Sequence, residues 1–202
     1  MPTVVIPFAG AQGKTRLHSS SRVRRELSLA MLGDVLAACV AVGRTRVVTP
    51  DSEGADAARE SGAEPVDDPG GGQGEAVRAG LDGVEPGGIL VLNADLPCVV
   101  PSDLRSLLVA TPAGGVALVE ALDGTTNALS LPAADAFAPL YGSDSAARFR
   151  AHAAGLGLEA LSVAVPNICE DVDTMADLER LQLRCGPRTQ AALGELATKE
   201  RT

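Results

Sequence analysis

The hydrophobic residues of this chain form short uninterrupted runs that alternate with amphipathic stretches. The clearest run, Ile89 to Leu92, follows a glycine pair and contains no polar residue. A run of this length is typical of a strand that is buried on both faces, as in the middle of a parallel sheet. The longer stretch 22–42 repeats its apolar residues at helical spacing, with Leu27 and Met31 on one face. It predicts a helix that packs against that sheet.

The remaining pattern predicts a parallel α/β sheet with an added hairpin region. The further strands are expected at 3–6, 46–49, 64–66, 116–119, 128–131 and 161–165. Further helices are expected at 55–61, 146–154 and 175–185, together with one helix that ends at residue 81 and one that begins at residue 101. Alternating strands and helices favour a mostly parallel central sheet flanked by helices. After residue 114 two strands follow each other across Asp123-Gly124, a hairpin or connection signal. We expect one domain at 1–185 and a loosely held C-terminal tail at 186–202.

Composition excludes several classes of protein. The chain has 202 residues, a net charge of −9 and 2% aromatic residues, which argues against nucleic acid as a partner. Four cysteines without a C-x-x-C pair form neither a zinc pattern nor a disulfide framework. We see no signal peptide and no long apolar span, so we expect a cytoplasmic protein without a membrane partner. The sequence leaves the oligomeric state open, and a homodimer is one option.

Three acidic residues are candidate metal ligands. Asp95 follows the buried run, and ligands of open α/β sheets bind just outside the carboxyl ends of the strands. Asp171 and Asp173 are two residues apart, so in an extended segment both carboxylates point the same way. That juxtaposition is costly unless a cation lies between them. The alternatives are that Asp95 caps the next turn and that Asp173 or Thr174 caps the following helix.

Two glycine-containing loops are candidate phosphate or base sites. The loop after the first strand contains Ala9, Gly10, Lys14 and Arg16, and its small residues would let backbone N–H groups approach a phosphate. It lacks the Walker A spacing, and an ordinary flexible loop is the alternative. The second loop, 67–75, opens a helix after a strand and includes Asp68, Gly72 and Gly74 among its residues. A glycine-rich turn alone is weak support, because linkers look similar.

A third candidate anion site precedes the helix at 146–154. Gly142 and Ser145 lie at its N-terminus, where backbone N–H groups and the helix dipole favour an anion. Capping of the helix by Ser143 or Ser145 is the simpler alternative.

These motifs, in this order, resemble the CofC-type guanylyltransferases, whose actinobacterial branch is called FbiD and which are MobA-like nucleotidyltransferases. The resemblance covers about residues 3 to 183 and is carried by K-[ST]-R-L at 14–17, P-G-G-G at 69–72, A-D-L-P at 94–97, G-T-T-N at 124–127, [FY]-G-x-x-S at 141–145 and D-V-D-T at 171–174. It implies a Rossmann-like nucleotidyltransferase fold. It also implies transfer of GMP from GTP to phosphoenolpyruvate, 2-phospho-L-lactate or a related acid, with release of pyrophosphate, in the biosynthesis of the deazaflavin coenzyme F420.

The resemblance assigns roles by motif. Asp95, Asp171 and Asp173 match the ligands of a divalent metal, Mg²⁺ or Mn²⁺, and Asp95 is also a catalytic and nucleotide contact. Lys14 and Arg16 match the basic loop that handles phosphate. The sites of the two substrates are implied by two sets of residues: Ala9, Gly10, Lys14, Asp68, Gly72, Gly74 and Asp95 for GTP, and Thr125, Thr126, Gly142 and Ser145 for the phosphorylated acid.

Three positions depart from the family. Phe8, Gly74 and Phe149 stand where members commonly carry lysine, asparagine and histidine. These changes leave the three acids intact and bear on the choice of nucleotide and acceptor. The alternatives to this activity are a related transferase for a sugar phosphate or molybdopterin-type acceptor, and a nucleotide-binding paralogue without catalysis. A glycosyltransferase with a D-x-D motif is disfavoured, because that pair normally follows an earlier strand.

Overall fold

A seven-stranded sheet forms the centre of the structure, a computed structural model that describes residues 1–10 and 20–199. The strands are β1 (Thr3–Pro7), β2 (Arg44–Thr49), β3 (Glu64–Asp67), β4 (Ile89–Leu92), β5 (Val116–Glu120), β6 (Thr126–Leu131) and β7 (Ala160–Ser162). Their order is β3-β2-β1-β4-β6-β5-β7. In the described sheet β6 runs antiparallel to its neighbours β4 and β5, and the other strands are mutually parallel. The predicted mostly parallel sheet and the hairpin β5–β6 are therefore confirmed.

Helices cover both faces of this sheet. They are α1 (Ser21–Val40), α2 (Ser52–Glu60), α3 (Gln73–Leu81), α4 (Pro101–Ala110), α5 (Ser145–Gly155), α6 (Pro166–Cys169), α7 (Met175–Leu181) and α8 (Pro187–Lys199), with a 3-10 turn at Ala134–Ala136. Apolar residues of α1, α2, α4 and α6 pack on one face, and those of α3 and α5 on the other. Among the described helices, none has the length and apolar content needed to cross a bilayer.

Strand β4 lies between the hydrophobic clusters on the two faces of the sheet, as its sequence predicts. Its four residues are each 1% exposed. Leu90 and Leu92 contact the cluster that includes α1, whereas Ile89 and Val91 contact the cluster that includes α3. Alternate side chains of a strand point to opposite faces, so an uninterrupted apolar run is required wherever both faces are covered.

The C-terminal segment differs from the loosely held tail that the sequence predicts. Residues 187–199 form α8, which packs against α1. The carboxylate of Asp34, a buried residue of α1, accepts hydrogen bonds from the N–H groups of Arg188 (3.1 Å) and Thr189 (2.9 Å). A carboxylate at these N–H groups satisfies donors that a helix leaves unpaired in its first turn. Asp34 is far from α8 in the sequence, so the polar composition of residues 187–199 does not reveal that this carboxylate holds the helix.

Candidate active site

The three candidate metal ligands meet at the carboxyl end of β4. The N–H of Val172 donates a hydrogen bond to the carbonyl of Asp95 at 3.0 Å, which ties the two segments together. Val172 is fully buried, and its neighbours on either side, Asp171 and Asp173, are half-buried. One carboxylate oxygen of each of the three acids lies within 4.8 Å of those of the other two. The fold therefore brings together residues from two distant parts of the chain.

Other residues are the N-caps of the helices that follow these acids. The N-cap of α4 is Val100, which lies beyond Asp95. The N-cap of α7 is Thr174, whose side chain accepts a hydrogen bond from the N–H of Asp177. Asp95 is thus not the N-cap of α4, and of the two residues proposed as the cap of α7 it is Thr174, not Asp173, that takes this role.

The chemistry of this cluster suits a hard divalent cation. Mg²⁺ and Mn²⁺ prefer oxygen ligands, and two oxygens on one Mg²⁺ lie at most about 4.2 Å apart. The carboxylates are already close to that spacing, so small side-chain movements suffice. Burial, and then the nearby charge of Asp95, raise the pKa of Asp171 above its ordinary value. A bound cation would offset this repulsion, because it stabilises all three ionised carboxyl groups.

A pocket opens beside the acidic cluster, along the carboxyl ends of β1, β3 and β4. Its cavity has a volume of about 310 Å³, which falls in the range of small-molecule sites. It is lined by Pro7, Phe8, Ala9, Gly10, Ser28, Met31, Asp68, Gly72, Gln73, Ala76, Asn93, Ala94, Asp95 and Asp173. This set includes Ala9, Gly10, Asp68, Gly72 and Asp95, which the resemblance assigns to the nucleotide. Lys14, the remaining predicted nucleotide contact of the first loop, and Arg16, predicted to handle phosphate with it, lie outside the described residues.

Backbone conformation explains the glycine-rich turn of this pocket. Gly70, Gly71 and Gly72 have φ values of 80°, 90° and 92°, which residues with a Cβ rarely adopt. The side chain of Asp68 accepts a hydrogen bond from the N–H of Gly70 at 2.8 Å. The turn leads directly into α3, with Gly72 as its N-cap.

Gly74 does not line the pocket, although the resemblance places a nucleotide contact there. A Cβ added to Gly74 would lie 2.6 Å from the Cβ and 3.0 Å from the Cα of Pro139. The chain after β6 occupies the space of a side chain at this position. As this chain is packed, a side chain at position 74, such as the asparagine that the resemblance leads one to expect, would clash with Pro139.

The other two departures from the family are apolar residues in packed positions. Phe8 is 5% exposed and lines the pocket, and a Cβ added to Gly54 of α2 would lie 2.7 Å from its ring. Phe149 is buried on α5, with its ring centroid 5.2 Å from that of Tyr141. At both positions this chain therefore has an aromatic side chain held by packing.

The predicted acceptor residues come together at the hairpin and the start of α5. The hydroxyl of Ser145 donates a hydrogen bond to that of Thr126 at 3.1 Å, and both side chains are buried. Thr125 is half-buried, and its N–H and hydroxyl donate to the carboxylate of Asp123. Gly142 is exposed, and its carbonyl accepts a hydrogen bond from the N–H of Ser145. The hydroxyls of Thr126 and Ser145 thus join the start of β6 to the start of α5.

Sequence reasoning missed the polar residues that support the site. Gln73 and Asn93 line the pocket, and Asn127 donates a hydrogen bond to Asp171. The motif G-T-T-N contains Asn127, which was the available signal. Ser28 of α1 also lines the pocket. Its buried hydroxyl has no hydrogen-bond partner within the described part of the chain, so it is a candidate donor to a bound ligand.

Comparison with known proteins identifies the class. Residues 22–180 match the MobA-like NTP transferase domain, and the chain therefore belongs to the MobA-like NTP transferases, a class of nucleotidyltransferases. Its curated relatives include phosphoenolpyruvate guanylyltransferases. The protein of that name from Nocardia farcinica is 39% identical and aligns with 92% of this chain and 87% of its own length. That from Streptomyces coelicolor is 37% identical, with 96% of both chains aligned. The predicted family is confirmed.

Solved structures share the fold. A candidate nucleotide-diphospho-sugar transferase of Desulfovibrio desulfuricans G20 superimposes with a TM-score of 0.75 at 18% identity, covering 98% of this chain and 96% of that one. A homologue of Mycobacterium tuberculosis Rv0371c from Mycobacterium sp. strain JC1 gives a TM-score of 0.61 at 23% identity, covering 95% and 96%. At such identities the likeness concerns the fold alone, and it confirms the predicted Rossmann-like nucleotidyltransferase fold.

Proposed function

We propose that this protein transfers GMP from GTP to phosphoenolpyruvate or 2-phospho-L-lactate and releases pyrophosphate, in the biosynthesis of coenzyme F420. The observation that carries the proposal is the meeting of Asp95, Asp171 and Asp173 beside a pocket that the two glycine loops border. The names of the relatives favour phosphoenolpyruvate among the three-carbon acids. The resemblance supplies the link to F420.

The reaction needs no protein nucleophile. An oxygen of the acceptor phosphate attacks the α-phosphorus of GTP, and the bond between that phosphorus and the bridging oxygen of the β-phosphate breaks. The electron pair leaves with pyrophosphate. A Mg²⁺ or Mn²⁺ ion held by the three acids would neutralise charge on the phosphates that come together. We assign Lys14 and Arg16 to stabilisation of the departing pyrophosphate.

The acceptor is expected next to the acidic cluster, at the hairpin and the N-terminus of α5. Asn127 follows Thr126 in β6 and contacts Asp171, so the hairpin and the cluster adjoin. Backbone N–H groups around Gly142, together with the pair Thr126–Ser145, are the donors that we assign to a small anionic substrate. Thr125 joins them when the ligand takes its N–H and hydroxyl from Asp123. Since Thr126 and Ser145 are buried, we expect their hydroxyls to shape this site as well as contact the ligand.

A substrate panel tests the proposal. The protein is incubated with Mg²⁺ and GTP together with phosphoenolpyruvate, 2-phospholactate, 3-phosphoglycerate or a hexose 1-phosphate, and pyrophosphate release is measured. We expect release with a three-carbon acid and its loss in Asp173→Asn. In Ser145→Ala we expect a higher KM for the acceptor. Asp135→Asn, which makes the same chemical change at an exposed residue outside the pocket, is the matched control.

The outcomes separate the alternatives. Release only with the hexose phosphate would move the protein to the sugar-phosphate transferases. No release with any acceptor, together with GTP binding, would favour a non-catalytic nucleotide-binding protein. Equal binding of ATP, CTP, GTP and UTP would remove the guanine preference and leave the fold untouched. The homodimer and the cytoplasmic location stay predictions.

A further inference from the structure

A chain of three side-chain amides ends on one carboxylate of the acidic cluster. The Nε2 of Gln73 donates to the Oδ1 of Asn93 at 2.7 Å, and the Nδ2 of Asn93 donates to the Oδ1 of Asn127 at 3.1 Å. The Nδ2 of Asn127 then donates to the Oδ1 of Asp171 at 3.2 Å. The chain therefore runs from the first residue of α3 at the nucleotide pocket, past the end of β4, to the start of β6 and the acidic cluster.

Backbone carbonyls fix the direction of these hydrogen bonds. The Nδ2 of Asn127 also donates to the carbonyl of Ile168 at 2.8 Å, and the Nδ2 of Asn93 to that of Thr126 at 3.4 Å. A carbonyl oxygen only accepts, so turning either amide over would place two oxygens against each other. Asn127 must therefore present an N–H, and not an oxygen, to Asp171.

Asn127 has a single arrangement available. Its side chain is 1% exposed, and its one oxygen and both amide hydrogens are engaged by Asn93, Ile168 and Asp171. Its backbone carbonyl also accepts a hydrogen bond from the N–H of Asn93 at 3.0 Å. Strand β6 therefore holds the amide donor in a fixed place relative to the end of β4.

The acidic cluster needs such a donor. Asp171 lies within 4.8 Å of two other carboxylates, and like charges at this distance push its side chain away. A lysine or arginine could hold it, but the added positive charge would compete with a cation for the same oxygens. A buried neutral amide holds the carboxylate without that competition.

We propose that Asn127 is the positioning residue of the metal site: it orients Asp171 for the cation, and Asn93 fixes Asn127 in turn. The inference rests on the proposed metal-dependent transfer. Partners that orient metal ligands in this way typically change metal affinity by about 10- to 100-fold when they are removed. A purely structural asparagine that only joins β4 to β6 would lower stability without affecting the metal.

The test compares Asn127→Ala with Ser130→Ala. Ser130 is a buried residue of the same strand, whose hydroxyl accepts a hydrogen bond from Thr111 at 2.7 Å, away from the cluster. Mn²⁺ binding is measured directly, from the electron paramagnetic resonance signal of free Mn²⁺, with and without GTP. Thermal unfolding reports stability, and activity is measured against Mg²⁺ concentration.

We expect Asn127→Ala to weaken Mn²⁺ binding about tenfold or more, while Ser130→Ala binds Mn²⁺ like the wild type. In activity, the Mg²⁺ concentration for half-maximal rate should rise by a similar factor, and kcat should recover at high Mg²⁺. Mn²⁺ affinity within twofold of the wild type in folded Asn127→Ala would overturn the proposal. If Asn127→Ala does not fold, Asn93→Ala tests the same chain at a half-buried residue. There the proposal requires a severalfold loss of Mn²⁺ affinity, and unchanged affinity overturns it.

Failure of the proposed function can be told apart from failure of this inference. If Mn²⁺ binds with an affinity that depends on Asn127 but no acceptor yields pyrophosphate, the proposed transfer of GMP is wrong and the positioning role of Asn127 stands. If the wild type binds no Mn²⁺ even with GTP, the positioning role is wrong as well.

Discussion

Asp171→Asn should stabilise the metal-free protein while removing its response to Mg²⁺. Asp171 lies within 4.8 Å of the carboxylates of both Asp95 and Asp173. At that distance two unit charges repel by about 1 kcal/mol in water-like surroundings and about 3 kcal/mol at an effective dielectric constant of about 20. Because the site opens to solvent, we take the lower value for each of the two pairs that the substitution removes. The expected gain in the free energy of unfolding is about 2 kcal/mol.

The amide of the variant keeps the local hydrogen bond. Asn127 donates to the Oδ1 of Asp171, and the carbonyl oxygen of an asparagine can accept the same bond. For a domain of this size, 2 kcal/mol corresponds to an increase in Tm of about 4 to 8 °C. Mg²⁺ at ten times its Kd should stabilise the wild type by about 1.4 kcal/mol, and the variant should not respond.

The assay is thermal unfolding with EDTA and with Mg²⁺, using Asp135→Asn as the control for a change of net charge. Melting of metal-free Asp171→Asn at or below the temperature of the wild type would refute the charge repulsion. An equal rise in the Tm of both proteins on addition of Mg²⁺ would refute the role of Asp171 as a metal ligand.

The pH dependence of the same pair gives a second measurement. Burial and the neighbouring Asp95 raise the pKa of Asp171 in the folded protein, so the folded state holds this proton to a higher pH than the unfolded state does. Below the ordinary carboxyl pKa, Asp171 is protonated in the folded and the unfolded protein and does not repel its neighbours. The folded wild type loses this advantage as pH rises through the raised pKa and the carboxyl group ionises. The Tm advantage of metal-free Asp171→Asn over the wild type should therefore grow from about pH 4 to about pH 7. A constant difference across that range would contradict the assignment.

Two further predictions concern the fold. Asp34→Ala removes the carboxylate that accepts two N–H bonds at the start of α8. We expect the free energy of unfolding in denaturant to fall by about 2 kcal/mol, with faster proteolysis after residue 186. Unchanged stability would show that packing alone holds α8. Gly74→Ala should cost about 1 to 3 kcal/mol, because its Cβ would lie 2.6 Å from that of Pro139. Gly194→Ala, at a helical glycine with nothing within 4 Å of the added Cβ, is the control and should be neutral or stabilising; equal effects at both glycines would contradict the close approach.

Local sequence was sufficient for most of the elements, although it missed α6 and α8, and the order of the motifs was sufficient for the class of protein. The apolar run at 89–92 and the helical repeat of α1 each indicate which faces of a segment are buried. That pattern is carried by residues close together in the chain. The two-residue spacing of Asp171 and Asp173 likewise indicated two carboxylates on the same side of an extended segment. The G-T-T-N motif included Asn127, but its position in a hairpin suggested nothing about the metal site.

The tertiary structure alone decided which distant residues meet. The folded chain sets Asp95 beside Asp171 and places Asn127 of β6 between Asp171 and Asn93. It also brings Pro139 against Gly74. Each of these contacts joins residues that are far apart in sequence, so no local pattern records them. The sequence by itself determined most of the strands and helices and the types of ligand atom available, because these follow from side-chain chemistry and short spacings. The geometry of the site depends on the crossing connections of the sheet, which only the folded chain defines.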